Sequence, residues 1–515
     1  VDPHWDHKVF PNRARVFSFL NLFRYRALEF LYSTPSSQCS VNSRCILEHR
    51  TPPAQPNPPV KQIEAVDLVL NASMASSQGP IFADKNADTS SNGAKICDVA
   101  HQNEQERQSS TYMVFSSAGK LLYLSHDDGA QDWALTQASV MHAMLSLFGM
   151  QDQLQRICMN NSVNVSFLHR KPLYLACVAK KKEPDDIVSL RLERVYATII
   201  SLISHARLLR LFDRAPNLDL QALIGPMREY VDAVVLNMQS SLALAFGTVP
   251  IRPLDASVRD QVTRTCSELA PEKRPKQLLY ILLWDSDDAL ISLSHLRRYV
   301  PHPTDLALIN AVVRVGKDQD GWAPLCLPVF APNSFAYVFS SVIGSARLAL
   351  VCGDHDGYVL CRSWRHKLAE SPCMAALQRA LSMNPVSIDS MGLPGLRDVA
   401  FSSRRSQQCI ISPRISAHRQ TLFEHVLCAL RGPAHAAEAC PDLPWPRQPP
   451  VPRPLELVIK RTDQEAILGW RTAAFELCIT TTPLLASSAI GELANRVVAW
   501  VRHRESFLFA TASVF

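Results

Sequence analysis

Several large protein classes are excluded by what this sequence lacks. It contains no uncharged run of about 18 apolar residues, so no segment is predicted to span a bilayer. Its 14 cysteines include no CxxC pair, which argues against a zinc site and against a disulfide framework. Reduced thiols in a cytosolic protein fit this pattern best, and any membrane contact is expected to be peripheral.

Strong charge of one sign is also absent. The formal net charge is +6, which is too small to indicate a nucleic-acid partner without a clustered basic patch. The charge does not exclude membrane surfaces or acidic proteins as partners. The 17 glycines are outnumbered by 35 prolines, which indicates stiff connectors between folded parts.

Catalytic motifs are missing as well. No GxSxG, HExxH or recognisable carboxylate pair occurs, so side-chain catalysis has no predicted site. The sequence SSAGK has Gly119 before Lys120, as a phosphate-binding loop does, but Leu121 stands where a magnesium-binding hydroxyl belongs. A hairpin turn is the better interpretation. We expect no enzyme activity, cofactor, bound nucleotide or metal in this chain.

The 515 residues are too many for one compact domain and suggest three or four. Residues 1–110 are predicted to be a disordered extension. Within it, residues 35–110 are rich in proline and polar residues, which bury too little apolar surface to offset their ordering entropy. The chain does not begin with methionine, which points to a truncated or imperfect start.

From Tyr112 onward, the hydrophobic pattern repeats one order of elements three times. Each round predicts a hairpin, a helix, three strands and a closing helix, which is the order ββαβββα. The second round starts from KQLLYILLW and ALISL, and the looser third round starts from DVAFSS and QCIIS. In the first round the closing helix is marked by apolar residues at helical spacing: Val188, Leu192, Val195, Ile199 and Leu202.

This order builds a five-stranded antiparallel sheet with helices on its faces, so we predict an α+β fold of three longin-type domains. The predicted boundaries are residues 111–215, 216–385 and 386–515. The second range begins with a linking helix, and the third contains a proline-rich insertion at 433–454. The stretch SLALAFGTVPIRPL at 241–254 loses its period and has no assignment.

Five phrases in a fixed order resemble the Mon family of vacuolar fusion proteins, also called the SAND family. They are MVFSSAGKLLY, WAPLCLPVFAPNSFAYVF, GLPGLRDVAF with SQQCIISP, FELCITTTPL and VVAWVRHRESFLFA. Together they cover about residues 112–515. The chain departs from the family near the second strand, where it reads GKLLYLSHDDGA and the family usually has Lys-Pro-Ile and a Gly-Asp pair.

The resemblance implies a non-catalytic role in endosome maturation, vacuole fusion and vesicle-mediated transport. The chain would be one subunit of a heterodimeric guanine nucleotide exchange factor, with a Ccz-type longin subunit as partner and the late-endosomal or vacuolar Rab GTPase as target. The early-endosomal Rab and anionic phosphoinositide membranes would act upstream. The protein would be cytoplasmic and recruited peripherally to late endosome and vacuole membranes. The alternative is a longin scaffold or coat-type adaptor without exchange activity.

The first domain carries the predicted exchange surface. In an alternating strand Leu122 and Leu124 share one face and Tyr123 takes the other, where an outward aromatic would anchor an interface. A core position for Tyr123, packed under the closing helix, is the alternative that stays open. The candidates for the Rab or partner interface are Tyr123, His126, Asp127, Trp133, Val140, Met144 and Leu147.

Two basic clusters are candidates for lipid contact. They are Arg170 with Lys171, and Lys180 with Lys181 and Lys182. Because the clusters lie at the ends of two adjacent predicted strands, we expect them to meet on one edge of the sheet. A solvated edge that prevents aggregation is the alternative to contact with anionic lipid.

Overall fold

The computed structural model describes residues 110–125, 139–143, 156–159, 163–180, 183–215, 224–268, 278–316, 320–383, 391–413, 415–432 and 455–514. The predicted disordered extension lies outside these ranges apart from Ser110, and the insertion at 433–454 lies outside them entirely. Ser110 is buried, and its hydroxyl donates to Glu183 at 2.5 Å.

The first sheet has five strands in the order β2, β1, β5, β4, β3, and all its neighbouring pairs are antiparallel. Its strands are β1 (Thr111–Ser116), β2 (Leu121–Leu124), β3 (Arg156–Met159), β4 (Val163–Arg170) and β5 (Leu173–Lys180). The predicted closing helix is α1 (Asp185–Ile203), and its apolar stripe is buried in the same core as β1 and β5.

Helix α2 (His205–Arg214) follows α1 after a sharp bend. Among the described residues no single helix is long and apolar enough to cross a bilayer, and only α1 and α2 taken together, bent by 80°, have the length and composition for it.

A linking stretch follows the first unit. It comprises α3 (Arg228–Ser240), α4 (Ala243–Phe246), the two-residue strand β6 (Val249–Pro250) and α5 (Ala256–Glu268). The unassigned sequence SLALAFGTVPIRPL therefore holds α4 and β6. Gly247 ends α4 with a φ of 69°, a conformation that costs glycine little.

The second sheet has the order β17 (Ser513–Val514), β8, β7, β11, β10, β9. The elements of this unit are β7 (Leu278–Trp284), β8 (Leu290–His295), α6 (Pro303–Val315), β9 (Gly321–Leu327), β10 (Ala331–Ile343), β11 (Ala346–Cys352), α7 (Tyr358–Ala369) and α8 (Pro372–Leu381). Pro303 stands at the first position of α6, where its missing N–H costs no hydrogen bond.

The third sheet has the order β14, β15, β16, β12, β13, β6. The remaining elements are β12 (Leu396–Ser403), β13 (Gln408–Ile411), α9 (Ala417–Arg431), β14 (Leu457–Arg461), β15 (Ala466–Arg471), β16 (Phe475–Thr481), α10 (Ser487–His503), α11 (Glu505–Leu508) and β17 (Ser513–Val514). Helix α10 is the closing helix predicted for the third round, and its apolar stripe is buried.

The α+β architecture with three rounds of one order is confirmed, but the strand count is wrong for two sheets. The second and third sheets each have six strands. β17 pairs parallel with β8, and β6 pairs parallel with β13. Both added strands cover an edge whose backbone groups would otherwise be unpaired. Each has two residues, which is too short for a period to show in the sequence.

Candidate functional site

Tyr123 lies in the core of the first unit. Its side chain is 3% exposed, and its hydroxyl donates to Asp232 Oδ1 of α3 at 2.6 Å. Of the two positions left open for Tyr123 the structure shows the core one, under the linking helix and not the closing helix, and the outward position is wrong for this chain. The residue occupies an edge strand, but the linking helix covers its phenol.

A β-bulge explains the difference. Tyr123 pairs with Val114, and Leu121 pairs with Phe115, so the register slips by one residue at Leu122. A bulge breaks the strict alternation of side chains between the two faces. Leu122 and Tyr123 accordingly both belong to the apolar core that contains Val114, whereas the sequence prediction assumed uninterrupted alternation.

The Arg228 side chain of α3 packs over the Tyr123 ring. Its guanidinium carbon lies 5.8 Å from the centre of the Tyr123 ring, and its Nη2 donates to Leu124 O at 3.0 Å. Burial raises the pKa of Tyr123 well above its usual value, and the hydrogen bond to Asp232 and the charge of that carboxylate raise it further. The phenol is therefore a neutral hydrogen-bond donor at physiological pH.

The helix of the predicted exchange surface is described over residues 139–143. Val140 is half-buried there, and His142 Nε2 lies 2.9 Å from Ser117 O in the turn between β1 and β2. Gly119 of that turn has a φ of 81°, and a Cβ atom on it would lie 2.8 Å from the His142 ring. SSAGK is thus a hairpin turn that requires glycine. His126, Asp127, Trp133, Met144 and Leu147 lie outside the described residues.

The two basic clusters do not meet. β4 and β5 form an antiparallel hairpin in which Arg170 pairs with Leu173 and Lys180 pairs with Val163. Arg170 and Lys171 therefore lie at the turn, while Lys180 lies at the far end of β5, roughly 23 Å away at 3.3 Å per residue. The predicted shared edge is wrong, because the final residues of two antiparallel neighbours lie at opposite ends. Lys181 and Lys182 lie outside the described residues.

At the turn the two cations differ in their surroundings. Arg170 forms an ion pair with Glu193 of α1, which fixes it against the first unit. Lys171 is exposed at the same turn, and its contact with anionic lipid stays a prediction.

Residues that the sequence reasoning missed hold the units together. Arg191 of α1 donates to Glu424 of α9 at 2.7 Å and to Glu183 at 2.5 Å. The Arg191 and Glu424 side chains are 5% and 2% exposed. Burial raises the pKa of Glu424, and the charge of Arg191 opposes that rise. This buried pair joins the first unit to the third.

The segment around β6 joins the second unit to the third. Ile251 N donates to Cys409 O of β13 at 3.0 Å, and Arg252 N donates to Leu290 O of β8 at 2.8 Å. One extended stretch is therefore hydrogen-bonded to two sheets. Val249 and Ile251 are apolar and spaced two apart, but two positions are too few to establish a strand period, so the sequence gives no clear signal for this stretch.

Comparisons with known proteins match these three units in order. Profiles for the first, second and third longin domains of FUZ, MON1 and HPS1 match residues 110–234, 276–370 and 396–505. The chain belongs to the Mon family of triple-longin proteins.

Relatives of this Mon-family chain are named for vacuolar fusion. It is 29% identical over 416 residues to Vacuolar fusion protein MON1 of Cryptococcus neoformans, an alignment that covers 77% of the chain and 64% of the relative. It is 27% identical over 411 residues to Vacuolar fusion protein MON1 homolog A of Gallus gallus, covering 77% of the chain and 71% of the relative. Protein SAND of Takifugu rubripes is 27% identical over 406 residues, covering 77% and 75%. The chain thus spans just under two thirds of the Cryptococcus relative.

The first family profile extends to residue 234. It therefore includes Arg228 and Asp232, the residues of α3 that cover Tyr123. In this Mon-family chain the linking helix completes the first longin core.

Reactive groups are sparse in the described ranges. No three His, Cys, Asp or Glu side chains of these ranges are grouped to hold a metal ion. Burial raises the pKa of Cys266, Cys326 and Cys409 to about 12. These thiols are protonated at neutral pH and are not nucleophiles there.

Proposed function

We propose that this Mon-family chain is one subunit of a heterodimeric guanine nucleotide exchange factor. It pairs with a Ccz-type longin subunit and loads the Rab GTPase of late endosomes and vacuoles with GTP. The early-endosomal Rab and anionic phosphoinositide membranes recruit the complex from the cytoplasm.

The ordered match of three longin domains to relatives named for vacuolar fusion carries this proposal. Nucleotide exchange needs no reactive side chain. A Rab holds GDP through magnesium and its switch loops, so a partner that binds the nucleotide-free form more tightly shifts the equilibrium towards release. Complementary surfaces are sufficient to promote nucleotide release.

The Rab contact is assigned to the region beside β2 and the helix at 139–143. Tyr123 supports this region from within the core and makes no surface contact itself. Val140 keeps exposed area on the helix, and the turn beneath it is held by His142. Val140 is therefore the described residue on which this assignment can be tested.

The test is release of a fluorescent GDP analogue from the late-endosomal Rab. The full chain copurified with a Ccz-type subunit is expected to accelerate release at least about tenfold over the Rab alone. Val140→Ser should slow the accelerated rate by about tenfold, which corresponds to about 1.4 kcal/mol of contact energy. Ala143→Ser, at an exposed position of the same helix, is the matched control and should exchange normally.

Binding of the Rab without faster release would contradict the exchange proposal and would identify a scaffold. Normal exchange by Val140→Ser would instead contradict only the assigned surface. The two outcomes are separable because the first is measured on the unmodified complex.

A further inference from the structure

A partly enclosed cavity lies between the first and second units, where α1, α3, α6 and the segment around β6 meet. Its lining includes Arg194 of α1, Asn237 of α3, and Asn310 and Arg314 of α6. The cavity offers about 50 Å³ to the centres of water-sized atoms, and one water needs roughly 10–15 Å³ on that measure. It can therefore hold several waters or a small ion of a few atoms.

Arg194 lines this cavity. Within the described part of the chain, its guanidinium forms neither an ion pair nor a side-chain hydrogen bond, although the charge of Asp305 attracts it. Burial lowers the pKa of Arg194 to about 10, and the residue is half-buried, so the side chain is partly desolvated yet still a cation at neutral pH. A partly desolvated cation is stabilised by an anion placed beside it. Arg191, on the same helix, has two carboxylates for this purpose.

The acids near the cavity are already engaged. The charge of Asp305 attracts Arg194, but its carboxylate accepts two backbone N–H groups at 2.9 and 3.2 Å and forms no ion pair with Arg194. Asp288 accepts hydrogen bonds from four side chains, which are Asn237, Asn310, Arg314 and Arg347. Two of these donors are guanidinium groups, so two cations already share the charge of Asp288. Three guanidinium groups, of Arg194, Arg314 and Arg347, thus face the two carboxylates of Asp288 and Asp305.

Asn310 adds a second requirement on any occupant. Its side chain is 8% exposed, and its Nδ2 donates to Asp288 at 3.1 Å. Its Oδ1 is buried and accepts no hydrogen bond from the described residues. A buried carbonyl without a donor is costly, so an occupant that carries an O–H group fits better than one that carries acceptors alone.

We propose that this cavity binds a small oxyanion with a hydroxyl group, of the hydrogen phosphate type. The anionic oxygens compensate Arg194, and the O–H group donates to Asn310 Oδ1. The bound ion connects α1 of the first unit to α6 of the second. Binding therefore stabilises the arrangement of these units by mass action, and it does so whether or not the chain takes part in nucleotide exchange.

Inorganic phosphate is the probe. Thermal unfolding of the full chain is measured near neutral pH in phosphate and in chloride at matched ionic strength. At about 20 mM phosphate, a Kd of about 1 mM raises the unfolding midpoint by about 2 °C. Sulfate carries no O–H at this pH and is expected to raise the midpoint less.

Variants distinguish phosphate binding in this cavity from the general stabilising effect that phosphate has on proteins. Arg194→Met should lose the phosphate-specific rise, and in chloride it should unfold no earlier than the wild type because a partly desolvated cation is gone. Arg194→Lys keeps the charge and should keep part of the rise. Arg207→Met, at an exposed position of α2, is the matched control and should keep all of it.

An equal phosphate response in Arg194→Met and the wild type overturns the proposal, and the cavity then holds water alone. If Arg194→Met does not fold, titration calorimetry with phosphate decides between the two outcomes. Binding of about one phosphate per wild-type chain, weakened in Arg194→Lys, supports the site. Absence of binding heat in the wild type, or equal affinity in Arg194→Lys and the wild type, rejects it.

Discussion

At the scale of single residues, Tyr123 shows how a local irregularity changes the role of a side chain. Its position beside Leu122 and Leu124 is typical of an outward aromatic on an edge strand. The slip in register at Leu122 turns the ring into the core, where Asp232 satisfies its hydroxyl. Loss of function on mutating Tyr123 would therefore report loss of fold.

Two substitutions at Tyr123 should lower the free energy of unfolding by different amounts. Tyr123→Phe removes the hydrogen bond to Asp232 and is expected to lower the free energy of unfolding by about 1 kcal/mol. Tyr123→Ala also leaves a cavity and should lower it by about 3 to 5 kcal/mol. Denaturant titration measures both, with Leu236→Ala as a control because Leu236 is 55% exposed on α3. A Tyr123→Ala chain that is as stable as wild type but impaired in exchange would restore the interface interpretation.

At the scale of elements, α1 has two tasks. Its apolar stripe closes the first sheet, and Arg191 on another part of its surface reaches α9 of the third unit. Removing one member of a buried ion pair leaves the other charge uncompensated, whereas replacing both by apolar residues often costs little. The pair therefore contributes more to selecting which surfaces of the first and third units pack together than to the free energy of unfolding.

A double-mutant cycle tests this reading of the α1 to α9 junction. Arg191→Met leaves Glu183 and Glu424 without their cation and is expected to lower the free energy of unfolding by about 3 kcal/mol, whereas Glu424→Leu leaves Arg191 paired with Glu183 and should cost less. The double variant should be more stable than Arg191→Met, with a coupling of about 1 to 3 kcal/mol. Additive losses in the cycle would mean that the two charges are solvated and act independently.

The stretch around β6 is the second element with a task beyond its own unit. Ile251 is buried between β8 and β13. Ile251→Ala should therefore weaken the attachment of this stretch to the second and the third sheet together. We expect a loss of about 2 to 4 kcal/mol in the free energy of unfolding. Hydrogen exchange should show faster exchange at the amides of Ile251 and Arg252 in the same variant. Faster exchange at one of these amides alone would show that the two sheets are not linked through this stretch.

At the scale of the whole molecule, the three-round order was predictable because each round contains strong local patterns. β7 is a continuous apolar strand, and the helices α1 and α10 carry stripes at helical spacing. The joints between units could not be predicted in this way. Arg191 and Glu424 are 233 positions apart, and a lone charged residue on a helix has no periodic signal. The bulge at Leu122 likewise depends on the pairing strand, which a single segment does not reveal.

Membrane recruitment is the remaining property of the whole molecule, and we expect it to be peripheral and electrostatic. Raising salt from about 0.1 to 0.5 M should release the complex with its Ccz-type partner from anionic liposomes, because surface charges are screened over a few ångströms at high salt. Lys171→Glu reverses an exposed charge at the β4 to β5 turn and should weaken liposome binding roughly tenfold or more, at about 1 kcal/mol per charge. Arg210→Glu, at an exposed position of α2, serves as the control and should bind like the wild type. Retention that is independent of salt would contradict this expectation, since buried apolar groups are not screened by salt. It would point to insertion of residues 12–32, whose sequence NRARVFSFLNLFRYRALEFLY is rich in apolar and basic residues.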